Sequence, residues 1–157
     1  MADVVSSNVI ANSPNEYVVK LLNLSDGTGE SAVTKVDITS ALLSNQIVVQ
    51  APGQQPQMAT VQPKSLDLVS VQWSIFGFTD VLLYWFHTTN ALIDVLCPGN
   101  GRLDYREWPS DFVGLINNAM LKDPRGTGGN GSVLITTEGN IAGARYDITL
   151  HLRKNYV

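Results

Sequence analysis

Leu66–His87, LDLVSVQWSIFGFTDVLLYWFH, decides the fold class. In its first half Val69, Val71, Trp73 and Ile75 alternate with Ser70, Gln72 and Ser74. A period of two puts the apolar side chains on one face of a strand and the polar ones on the other. Phe76-Gly77-Phe78-Thr79-Asp80 breaks the run, and Gly77 supplies the positive φ that a tight turn needs. The second half, Val81 to Phe86, is apolar on both faces, as in a central strand covered on both sides. The stretch therefore reads as two strands folded back into a hairpin, with the rest of the chain as sheet packed against it.

Outward from there, more strand signals appear. Tyr17 to Leu24 puts Tyr17, Val19 and Leu21 on one face, and Ala32 to Ile38 reads as its partner across the turn Ser25–Glu30. Ala91 to Leu96 is a short strand stopped by Pro98-Gly99-Asn100-Gly101, and Arg102 to Arg106 suggests another. Ser132 to Thr137 leads through Glu138-Gly139-Asn140 to the cleanest alternation in the chain, Ala144 to Lys154. There Tyr146, Ile148, Leu150 and Leu152 oppose Arg145, Asp147, Thr149, His151 and Arg153. Phe112, Leu115, Ile116, Ala119 and Met120 recur at helical spacing, predicting one short helix over Ser110–Lys122 behind Pro109. About eight strands without a βαβ rhythm predict an all-β fold, a β-sandwich or jelly roll.

Two stretches fall outside this pattern. Residues 1–15 are small and polar and read as an N-terminal arm, leaving 16–157 as a single domain. Residues 44–64 carry Gln46, Gln50, Gln54, Gln55, Gln57 and Gln62 with Pro52, Pro56 and Pro63. Proline removes backbone donors, so this reads as an extended arm in which only Ile47-Val48-Val49 can pair at an edge.

The 157 residues suffice for one domain, which at this size buries roughly 68–70% of its unfolded surface. Only 15% of residues are charged, against about 25% in an average chain, so the surface relies on amides or on partners. A net charge of −4 argues against a general nucleic-acid binder. The single cysteine, Cys97, excludes an internal disulfide and fits a reducing compartment. No signal peptide or membrane span is expected.

The candidate chemistry is sparse. Gly126–Gly131 spells GxGxxG, but a predicted helix precedes it and a strand follows, the reverse of a dinucleotide loop. His87, His151 and Cys97 lack the spacing of a metal site, and Cys97 reads as a small buried side chain. Asp104, Glu107, Asp111 and Asp123 would serve a glycosidase only as a fixed pair. Asp26 and Glu30 flank glycines without calcium-loop spacing. Trp73 and Trp85 read as core, and Trp108 as the exposed tryptophan. No catalytic, cofactor or metal residue is assigned.

Three blocks together carry a resemblance: Tyr17–Leu43, Leu82–Arg106 and Asp123–Arg153. Their most specific pieces are Ser25–Glu30 with Val33–Asp37, and Tyr146–Leu150. The pattern resembles capsid decoration, or cement, proteins of tailed double-stranded DNA bacteriophages. The resemblance covers over half the chain and implies a jelly-roll-like domain without enzymatic activity. It further implies a homo-oligomer, dimer or trimer, on the outer capsid surface, made in the host cytoplasm. The expected partners are the major capsid protein and further copies of the chain, with neither nucleic acid nor membrane. The Gln/Pro-rich stretch and Trp108–Lys122 depart from shorter family members. The expected contacts are the N-terminal arm together with Ile47, Val48, Val49, Gln54, Gln55, Met58, Trp108 and Phe112, with the Leu82–Phe86 strand expected between copies. Two rival classes are a carbohydrate- or receptor-binding module of a tail fibre and a sandwich-fold hydrolase.

Overall fold

The computed structural model describes residues 3–39, 46–49, 51–106, 121–123, 129 and 131–156. Within them every regular element is a strand: β1 (Val4–Asn12), β2 (Glu16–Asp26), β3 (Val33–Val36), β4 (Gln46–Val49), β5 (Gln57–Thr60), β6 (Ser65–Phe76), β7 (Asp80–Trp85), β8 (Ala91–Leu96), β9 (Gly99–Asp104), β10 (Leu121–Lys122), β11 (Val133–Glu138) and β12 (Ala142–Asn155). All pairings are antiparallel. One sheet runs β2-β12-β6-β9, with β1 added outside β2 and β10 beside β9 on the same edge of β6. The other runs β3-β11-β7-β8. These two four-strand orders, with every connection among the eight strands except β7–β8 crossing between the sheets, make a jelly-roll sandwich.

β12 is the axis of the larger sheet, paired along its length with β2 on one side and β6 on the other. The alternation expected of it holds: Tyr146, Ile148, Leu150 and Leu152 are buried. They meet Val36, Val81, Leu83, Trp85, Val133 and Ile135 of the opposite sheet in one core. Each such aliphatic side chain contributes about 1.5–3 kcal/mol by leaving water.

β6 and β7 are both strands, but they are not a hairpin: β6 lies in one sheet and β7 in the other. Phe76–Thr79 is a corner that carries the chain across the core. Gly77 has φ +82°, and a Cβ there would stand 2.9 Å from the Ala144 backbone. The alternation expected in β6 holds from Val71 through Trp73 to Ile75 and changes phase only at Val69. The register against β12 slips between Ser70 and Leu68, so Leu66 and Leu68 are buried on one side of the slip and Val71 and Ile75 on the other. The extra residue, Val69, accepts a hydrogen bond at its carbonyl from the Tyr105 N–H, 3.0 Å. β7 buries Val81, Leu83 and Trp85, whereas Leu82 and Tyr84 are only half-buried. Cover on both faces was the expectation; one face of β7 is core and the other is partly open.

Other expectations are corrected by topology. β3 pairs with β11, not with β2. Gly99–Gly101, expected to stop a strand, opens β9. The predicted helix over Ser110–Lys122 lies outside the described residues except for Leu121 and Lys122, which are strand paired with Leu68 and Asp67. The segment read as an N-terminal arm contains β1, paired with β2 along its length.

The turns β2–β3, β6–β7, β8–β9 and β11–β12 gather at one end of the sandwich, the corner end. The two long connections, β3–β6 and β9–β11, leave from the other. Gly77→Ala should lower stability by about 1–3 kcal/mol, since any Cβ meets both an unfavourable φ and the Ala144 backbone. A urea midpoint that falls with an unchanged slope would show it.

Candidate interaction surfaces

The first surface grows from the β3–β6 connection. β4 and β5 pair with each other, Ile47 opposite Ala59, Val48 opposite Met58 and Val49 opposite Gln57, and with neither main sheet among the described residues. The prolines of this stretch fall outside both strands, in keeping with their missing donors. Every residue from Ala51 to Met58 is exposed, and Met58 shows 61% of its surface. A turn closed by the Gln54 N–H on the Ala51 carbonyl, 3.1 Å, presents Gln54 and Gln55. At its base the Lys64 N–H donates to the Asn155 carbonyl, 2.7 Å, fixing the hairpin to the end of β12.

The second long connection departs after β9 and returns at β10, also at this hairpin end. Its return is held by a buried pair, His87 Nε2 to Asp123 Oδ1 at 2.5 Å, which joins the end of β7 to the end of β10. The structure thus brings Ile47, Val48, Val49, Gln54, Gln55 and Met58 onto one hairpin. Trp108 and Phe112 lie outside the described residues, within a connection that starts and ends at the same end of the sandwich.

Two further surfaces stand out, one missed in the sequence and one read there only as an arm. One is a cleft of about 780 Å³ on the outer face of the larger sheet at the corner end. Val4, Leu24, Arg145 and Phe76 stand in one cross-strand row. Phe76 is 66% exposed, and the Arg145 guanidinium lies 5.5 Å from its ring centre. Ser74, Asn100 and Asp147 add polar groups beside them. Only strand register gathers these residues, so no local motif marks them. The other surface is β1, exposed along its whole length.

The residues weighed for catalysis are engaged elsewhere. Cys97 is exposed rather than buried, and its carbonyl accepts from Trp73 Nε1 at 3.1 Å. Trp73 is half-buried over Gly101, where a Cβ would collide with its ring. Trp85 is core, as expected. Arg106 grips the Asp104 carboxylate at 2.8–3.0 Å and holds its pKa well below the usual range, with Arg102 adding to the effect. Glu107 and Asp111 lie outside the described residues. Among the described residues no three His, Cys, Asp or Glu side chains converge as a metal site requires. His151 sits on the outer face of β12, 3.4 Å from Glu16.

Glu30 is buried at the corner end. It accepts from Lys35 Nζ and, at 2.5 Å, from the Tyr146 hydroxyl. Its backbone is clasped by Thr137: the Glu30 N–H donates to Thr137 Oγ1 and the Thr137 N–H to the Glu30 carbonyl, both 2.9 Å. Burial, then the Glu30 carboxylate, push the Tyr146 pKa far above its ordinary value. No family model, curated protein or solved structure matches the chain.

The Tyr146 shift has a consequence in alkali. Unfolded chain releases the phenolic proton near pH 10, folded chain only well above it. The folded state then binds more protons, and this stabilisation is lost as pH rises past 10. The stability advantage of the wild-type chain over Tyr146→Phe should therefore be constant below about pH 9 and shrink above pH 10. Urea midpoints of both proteins across that range measure it.

Proposed function

We propose that this chain is a non-enzymatic structural protein that decorates and cements the capsid of a tailed phage by bridging major capsid subunits. One observation carries the reading. A compact jelly roll sends an exposed, amide-rich, uncharged hairpin, with Met58 near its tip, out of the same end as its other long connection. A chain that grips a repeating lattice needs surface of this kind rather than a pocket, because symmetry multiplies weak contacts into firm attachment. The low charge of the chain suits the same role, as does the resemblance of its Ser25–Glu30, Val33–Asp37 and Tyr146–Leu150 segments. In this reading Ile47, Val48, Val49, Gln54, Gln55 and Met58 meet the shell, and Trp108 and Phe112, outside the described residues, are the further contacts.

A second reading rests on the cleft at the corner end, where an exposed Phe76 stands among Arg145, Asn100 and Asp147. An aromatic face ringed by hydrogen-bonding groups suits a sugar of a host receptor. Co-sedimentation separates the two. The cement reading expects saturable binding to mature shells lacking the protein, at a fixed ratio to the major capsid protein and stronger than to unexpanded precursor shells. Replacing residues 50–56 by a two-residue turn, or Met58 by Asp, should weaken that binding and leave the thermal midpoint unchanged. Absence of shell binding together with sugar retention lost in Phe76→Ala would favour the second reading instead.

A further inference from the structure

β1 is an edge without the charges or proline that commonly protect one, and its register against β2 is regular from Val4 to Val9, slipping only at Ile10. It pairs with β2 along one side, and among the described residues no strand lies on its other side. Natural edges are blunted by lysine, proline or inward charges, because an open row of N–H and C=O groups templates further pairing. From Val4 to Asn12 there is neither a charge nor a proline. The strand is nonetheless firmly held. At one end the Asp3 carboxylate accepts from Asn23 Nδ2, 3.2 Å, and from the Asp26 N–H, 3.0 Å. At the other, Lys154 Nζ donates to Asn12 Oδ1 and to the Ser13 carbonyl.

Its side chains are arranged for an occupant. Val5, Ser7 and Val9 stand opposite Asn23, Leu21 and Val19, so they continue the core-facing side of the sheet. There they overhang the sandwich, with Val5 43% and Val9 52% exposed. Read from Val4 to Ile10, VVSSNVI is palindromic in polarity: two apolar, three polar, two apolar.

We propose that β1 pairs antiparallel with β1 of a second copy, about a two-fold axis through Ser7. An axis normal to the sheet keeps each face on its own side, so it must pass through a residue rather than between two. Through Ser7 it sets Val5 against Val9, Val4 against Ile10, and Ser6 against Asn8. Through Ser6 it would set Val4 against Asn8 and Val5 against Ser7; through Asn8, Ser7 against Val9. Only the Ser7 register matches apolar with apolar throughout, and the uncharged strand meets no like charge in doing so. The two larger sheets then run on as one, covering the overhanging Val5 and Val9 of both copies. This pairing is independent of the shell-binding reading, which uses the opposite connections.

The test uses the full chain with Cys97→Ser. Ser7→Cys in that background places two thiols directly across the axis, where opposite Cβ atoms lie about 4.5–5.5 Å apart, close to disulfide reach. Mild oxidation should give a covalent dimer quickly, whereas Ser6→Cys, which faces Asn8, should lag. Sedimentation of the unmodified chain should give the mass of two chains, and Val5→Lys with Val9→Lys the mass of one, with unchanged circular dichroism. A mass of one or three for the unmodified chain overturns the proposal. So does equal cross-linking of Ser6→Cys and Ser7→Cys, or a dimer that survives both lysines. Protection of β1 amides from exchange only after shells are added would assign the edge to the shell protein instead, and equally overturns it.

Discussion

The corner end depends on one buried carboxylate. Glu30 sits in the turn between β2 and β3, yet its partners come from three places: Lys35 on β3, Tyr146 on β12 and Thr137 on β11. β12 belongs to one sheet, β3 and β11 to the other. An ionised carboxylate taken out of water costs several kcal/mol unless its lone pairs are matched, so the two sheets must close around Glu30 in one arrangement. Glu30, Lys35 and Tyr146 all fall within the pieces that carry the family resemblance. Those residues thus have a complete structural explanation in the closing of the two sheets.

Much of the fold was legible because alternation is a local signal. β12 shows it most clearly: fourteen residues, paired on both sides, with one face in the core and the other open. What alternation does not carry is the identity of the partner strand. Val71 and Ile75 announce a strand in β6, and Val81 and Leu83 another in β7, but the same pattern serves a hairpin within one sheet and a corner between two. The crossing is decided by Gly77 against the Ala144 backbone and by long-range pairing, neither visible in a window of residues. The bulge at Val69 is hidden for the same reason, since both phases of β6 are apolar there.

The surfaces were legible only in part. The prolines and glutamines of residues 44–64 announced material foreign to a core, and the structure makes it a hairpin of its own. β1 was legible only as an arm and not as a strand: VVSSNVI does not alternate, because no core lies beneath either face to impose a period. The row Val4, Leu24, Arg145 and Phe76 draws on four strands spread across the chain, and only register assembles it.

A jelly roll by itself selects no function. What this one does with its two ends is more informative. The corner end has short turns, tight glycines and the buried hydrogen-bond network around Glu30. Among the described residues the hairpin end presents the exposed, uncharged stretch Ala51–Met58, tied at its base by Lys64, and the second connection returns through the His87–Asp123 pair and the β10–β6 pairing. Rigidity behind and adaptable contact in front is how a small domain meets a large partner while losing little conformational entropy on binding. β1 adds a third direction at right angles to both, along the plane of the larger sheet. If the hairpin meets a lattice and β1 a second copy, as proposed, each contact leaves the other unobstructed.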